Sequence, residues 1–116
     1  MRKSNYFYDN RLIKEGDVFY SSWGYEQTNI DFYRVVKKVG KASVILCALE
    51  NKLVEEKSNE TQDAVVPYLV NTERQWKARV KYYKEDKEPR IKISSYYNAY
   101  PWNGKPLYQT NPYYGH

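Results

Sequence analysis

Trp76-Lys77-Ala78-Arg79-Val80-Lys81-Tyr82 carries the clearest period in the chain. Successive side chains on a strand point to opposite faces, so Trp76, Ala78, Val80 and Tyr82 alternating with Lys77, Arg79 and Lys81 predict one buried face and one wet face. After the polar stretch Lys84-Glu85-Asp86-Lys87-Glu88-Pro89, the pattern returns in Arg90-Ile91-Lys92-Ile93-Ser94, and the two segments are expected to pair as a hairpin. If Trp76, Val80, Ile91 and Ile93 share the core face, then Lys77, Arg79, Lys81, Arg90 and Lys92 emerge together on the opposite one. Five cations crowd that surface.

Working upstream, Ile30 to Val39 and Ala42 to Leu49 flank the turn signal Gly40-Lys41 and read as a central hairpin with apolar residues on both faces. Val18-Phe19-Tyr20 is a short β-prone run before it. Residues 50–63 are polar and acidic and read as a long solvated loop. Val65 to Val70 reads as an edge strand, because Pro67 cannot donate to a central ladder, and Asn71 to Arg74 as one helical turn. Residues 1–15 lack a clear period and read as an N-terminal arm. Residues 96–116 combine Pro101, Gly104, Pro106, Pro112 and Gly115 with six Tyr and Trp residues from Tyr97 onward, which predicts an irregular segment wrapped over the preceding β domain, residues 16–95. The expected fold is all-β: a small antiparallel barrel or strongly bent sheet of five or six strands, SH3-like in type, with that aromatic C-terminal wrap.

The chain has 116 residues and a net charge of +5, which fits one small domain whose core is thin. Tyrosine supplies 14 residues beside 3 Trp and 3 Phe, so much of the apolar material has a polar tip suited to a binding surface. No apolar run approaches the roughly 20 residues of a bilayer span, and Met1 to Tyr6 has no apolar stretch behind its charges. A lone Cys47 inside an apolar run agrees with a reducing compartment, so the cytoplasm is the expected location, with no membrane partner. No cofactor and no metal are expected, since one Cys and one His cannot build a usual zinc site. Catalysis is the weaker reading: a triad of Ser22, Asp31 and His116 needs the last residue to fold back, and a magnesium site from Asp17, Asp31 and Asp63 competes with ordinary capping roles.

The densest functional signal lies between the first two apolar strands, in Ser21-Ser22-Trp23-Gly24-Tyr25-Glu26-Gln27-Thr28-Asn29-Ile30-Asp31-Phe32-Tyr33. As a recognition loop, Trp23 and Tyr25 would stack on a ligand while Gln27 and Asn29 supply hydrogen bonds. As a structural loop, the same Asn and Thr side chains would bond their own backbone and Trp23 would close one end of the core. Ser22 to Asn29 followed by Asp31-Phe32-Tyr33 resembles the hallmark of a family of small proteins encoded by bacterial phages and plasmids. Ile91 to Tyr96 and Tyr100-Pro101-Trp102-Asn103-Gly104-Lys105-Pro106 are similar to that family's C-terminal half. The resemblance brings no catalytic residues with it. It implies a mobile-element setting, hence a non-enzymatic binding protein that occupies a nucleic acid or a nucleic-acid-handling host defence complex, as anti-CRISPR and anti-restriction inhibitors do. The partners expected are such a host protein or nucleoprotein complex, or single-stranded DNA or RNA. A plain single-stranded nucleic-acid-binding accessory role is the alternative, suited by clustered cations beside Tyr82 and Tyr83, with a metal-dependent nuclease or hydrolase behind it.

Overall fold

A computed structural model of the protein describes residues 6–24, 26–68, 74–83, 88–94 and 97–111. Nine strands lie within them: β1 (Tyr6–Tyr8), β2 (Val18–Trp23), β3 (Asn29–Val39), β4 (Ser43–Leu53), β5 (Gln62–Tyr68), β6 (Gln75–Tyr83), β7 (Pro89–Lys92), β8 (Asn98–Pro101) and β9 (Leu107–Thr110). Every pairing is antiparallel. β2, β3, β4, β6, β7 and β8 pair in that order, and β8 returns to β2 to close a six-stranded barrel. The all-β class and small barrel expected from the sequence are therefore present.

The long strand β4 serves two sheets. Its first half, Ser43 to Cys47, pairs with β6 inside the barrel, and its second half, Glu50 to Leu53, pairs with β5, which in turn carries β9. This explains why β3 and β4 are apolar on both faces. Phe19, Tyr33, Val35, Val44, Leu46, Ala78, Val80, Ile91 and Ala99 fill the barrel. Ile30, Phe32, Cys47, Leu49 and Val65 form a second cluster outside it, packed against Trp102 and Leu107. The Phe32 and Trp102 rings meet edge to face at 5.8 Å. Trp102 is anchored twice, its backbone N–H donating to Val18 O at 3.0 Å and its indole Nε1 to Lys105 O at 2.8 Å.

Several local readings change. Residues 50–63 are not a single loop: β4 continues to Leu53, Glu55–Lys57 forms a 3-10 turn and β5 begins at Gln62. Glu50 to Leu53 hid this continuation because all four are exposed, so no alternation marks them. β5 has a neighbour on each side, but Pro67 sits in the half beyond β9, opposite Asn51 of β4, where a missing donor breaks no second ladder. The C-terminal segment is not an irregular wrap over a finished barrel: β8 is itself a barrel strand between β7 and β2, and β9 adds to β5 in the outer sheet. The helical turn read at Asn71 to Arg74 lies outside the described residues except for Arg74.

Residues from the stretch read as an arm seal one barrel end. β1 adds to the outer edge of β6, and the chain then turns under the strands so that Ile13, only 1% exposed, joins the barrel core. Asn10 is buried beside it, and its Nδ2 donates to Ser43 O at 2.8 Å and Gly40 O at 3.2 Å. Gly16, at φ +91°, lets the chain turn back so that its N–H reaches Val35 O at 2.8 Å. The Asn10 contacts, with its backbone N–H donating to Lys41 O at 2.8 Å, satisfy carbonyls that the β3–β4 turn would otherwise leave bare.

Candidate nucleic-acid interface

The alternation from Trp76 to Tyr82 holds on β6. Ala78 and Val80 are buried, Trp76 is half-buried against the core, and Lys77 and Arg79 are exposed on the opposite face. Pairing of Val80 with Ile91 and Lys81 with Arg90 brings the cations of β7 alongside those of β6. Lys81 also lies opposite Tyr8 of β1. All five predicted cations are therefore brought together, Lys92 exposed and Arg90 and Lys81 partly covered.

They do not stand as bare lysines and arginines. The Arg79 guanidinium carbon lies 4.5 Å from the Tyr8 ring centre. That of Arg90 lies 4.3 Å from Tyr83 and 5.4 Å from Tyr100, and Lys81 Nζ is 5.9 Å from Tyr83. Tyr100 continues to Tyr20 of β2 at 6.1 Å between ring centres. Cations and ring faces thus alternate across four neighbouring strands, β1, β6, β7 and β8, and Tyr20 adds a further ring on β2. Tyr82, expected among them, instead faces the other way and packs at a tilt against Phe7, ring centres 5.1 Å apart. Parity already separates the two: Tyr83 is in phase with Lys77, Arg79 and Lys81. Tyr8, Tyr20 and Tyr100 were not legible, because pairing rather than sequence proximity delivers them.

The β2–β3 hairpin tip lies elsewhere, at the barrel end opposite Ile13. Trp23, 44% exposed, is not a core plug; its indole Nε1 donates to Asp31 Oδ2 at 2.6 Å. Asn29 turns inward, Nδ2 donating to Trp23 O at 3.4 Å, and Gln27 is partly covered. Tyr25 lies outside the described residues. Gly24, at φ +128°, sits so close to Gln27 that a Cβ would fall 1.8 Å from its carbonyl oxygen. The tip is tied to β9, where Thr28 N–H donates to Thr110 Oγ1 at 2.9 Å and Thr110 N–H to Thr28 O at 2.9 Å. Trp23, Gln27 and Asn29 therefore belong to one tip between β2 and β3, on other strands than the cation face.

At the same end the barrel opens into a cleft of about 450 Å³ lined by Asp31, Tyr33, Ala48, Arg74, Trp76, Ile93 and Tyr97 among others. β3, β6 and β8 begin there and β2, β4 and β7 run toward it, which gathers residues distant in sequence. Trp76 stands edge to face on Tyr33 at 5.8 Å, and the Arg74 guanidinium lies 5.6 Å from the Trp76 ring centre. Tyr33 shares a hydrogen bond with buried Ser21 at 3.0 Å. Burial, with the Ser21 bond opposing it, pushes the Tyr33 phenol up to about 12.

The carboxylates weighed as a magnesium site do not gather. Asp17 accepts from Lys14 N–H near the closed end, Asp31 from Trp23 at the open end, and Asp63 from Asn111 in the outer sheet. His116, required for the triad, lies outside the described residues. No helix among them is long and apolar enough to cross a membrane. Comparison of the chain with protein-family models, with curated proteins and with solved structures finds no match.

Proposed function

We propose that this is a non-enzymatic binding protein that engages single-stranded nucleic acid on the outer face of β1, β6, β7 and β8. The alternation of cations and tyrosine rings across that face carries the reading. A single strand presents phosphates, which need spaced cations, and unstacked bases, which need ring faces. Contact with a ring leaves the formal charge of Arg79 and Arg90 in place while restricting the side chain, so less freedom is lost when a phosphate arrives. The net charge of +5 favours the same partner. In the phage or plasmid setting implied by the sequence resemblance, a strand covered in this way is withheld from a host defence complex. A second reading, contact with a protein of such a complex through the hairpin tip, is favoured by the exposed indole of Trp23.

Polarisation titrations of a labelled oligonucleotide over a range of salt test the first reading. Lys77 and Lys92 are exposed, so the Lys77→Glu, Lys92→Glu double variant should fold normally. Each phosphate contact on a single strand contributes about 0.7 to the slope of log affinity against log salt, so the variant should lose roughly 1.4. An unchanged slope removes the cation face from the account. Capture of a nuclease-treated host protein by wild type but not by Trp23→Ala would transfer the function to the tip.

A further inference from the structure

The open barrel end, joined to the hairpin tip through the Trp23–Asp31 bond, has a chemistry that the cation face does not share, and we infer that it receives one unstacked nucleobase bearing an exocyclic amino group. This rests on the nucleic-acid reading for the origin of the base, although a free nucleotide presents the same chemistry. The cleft volume of about 450 Å³ falls in the range of small-molecule sites, about 300–1,000 Å³. Its walls supply the three contacts such a ligand needs.

The first contact is a ring face. Trp76 meets Tyr33 at a steep angle rather than in a parallel stack, and it is only partly covered where it lines the cleft. The Arg74 guanidinium carbon lies over the Trp76 ring at 5.6 Å, so a base takes that place as Arg74 swings aside toward the attached phosphate. The second contact is a directed acceptor. Trp23 engages only Oδ2 of Asp31 and thereby fixes the carboxylate plane, leaving Oδ1 to accept an amino N–H of adenine, cytosine or guanine. Uracil and thymine carry a carbonyl oxygen where cytosine carries its amino group, and a carboxylate repels it. The third contact is Arg74 itself, a cation within reach of the phosphate attached to a stacked base. Tyr33, held neutral well above physiological pH, adds no charge to the cleft.

The three indole N–H signals of ¹⁵N-labelled protein locate binding without an activity assay. Titration with AMP or CMP should shift Trp76 and Trp23 and leave Trp102, anchored to Lys105 O on the second cluster, in place. AMP and CMP should bind about tenfold more tightly than UMP, the discrimination of one good base contact. Asp31→Asn keeps an acceptor for Trp23 but turns a donor toward the ligand, so the preference should vanish or reverse. Trp76→Phe, which keeps a ring against the core, should weaken all nucleotides several-fold, read at the Trp23 signal, while the protein still unfolds cooperatively. No shift of Trp76 with any nucleotide, or an Asp31→Asn variant with unaltered preference, overturns the inference. An oligonucleotide that binds with a salt dependence yet never shifts Trp76 also overturns it and leaves the cation face standing. Mononucleotides that shift Trp76 while no oligonucleotide binds support the cleft, identify the free nucleotide as its source and end the single-strand reading.

Discussion

The two ends of this barrel are built from opposite materials. At one, Ile13 and Asn10 come from a segment outside the barrel strands, bury an aliphatic side chain and satisfy the turn carbonyls. At the other, Tyr33, Trp76 and Tyr97 surround a carboxylate and a guanidinium, and nothing among the described residues covers them as Ile13 covers its end. A small barrel needs apolar closure to remain folded, and Ile13 supplies it at the closed end while the outer cluster of Phe32, Leu49, Val65 and Trp102 adds a second core. The opposite end is thereby released to carry rings and charges.

That contrast has measurable consequences. The largest is expected at Ile13: Ile13→Ala should cost about 2–5 kcal/mol, because the side chain is fully enclosed in the barrel core. A fall in Tm of at least about 10 °C follows, and a variant that melts with the wild type would show that the closed end is not a structural plug. Trp76→Ala should cost less, about 1–3 kcal/mol, although indole is the larger group. Full burial would give about 3–5, but Trp76 is only partly covered at the cleft. Chemical denaturation of both variants side by side decides the order, and a larger loss for Trp76 would invert the assignment of the two ends.

The smallest effect lies in the alkaline limb of stability. The folded-state phenol of Tyr33 titrates at about 12, above its value near 10 in the unfolded chain. Its contribution is therefore complete below about pH 10 and is lost as pH rises toward 12. Tyr33→Phe should show a shallower decline over that window than wild type, measured by urea unfolding at several pH values. Identical declines would mean that the open end is wet enough to ionise Tyr33 freely.

Much of the barrel was legible because its central strands obey period two. Lys77, Arg79 and Lys81 against Ala78 and Val80 gave one face directly, and Gly40 marked the β3–β4 turn. The double-sided apolar pattern of β3 and β4 was visible too, but its cause was not, since the second layer comes from β5 and β9 far along the chain. Short strands also escape notice. Asn98–Pro101 and Leu107–Thr110 lie among Pro and Gly residues and run four residues each, too few to establish alternation. Ile13 looked like part of an unpatterned arm because its core position depends on where the chain turns, not on its neighbours. Asp31, Tyr33 and Trp76 each drew attention separately, as a loop carboxylate, a loop ring and a core indole. Only barrel closure brings them to one cleft.

Closure itself has a kinetic price. β8 completes the barrel by pairing with β2, as Phe19 meets Pro101 and Tyr20 meets Tyr100. The tie between Thr28 and Thr110 spans 82 positions. Until Asn98–Pro101 docks, β2 and β7 each present a bare edge, and the loop that must close embraces most of the molecule. Such a non-local topology places refolding in the millisecond-to-second range rather than microseconds. During that interval the exposed edges invite strand exchange between chains, so recovery on dilution from denaturant should fall as protein concentration rises.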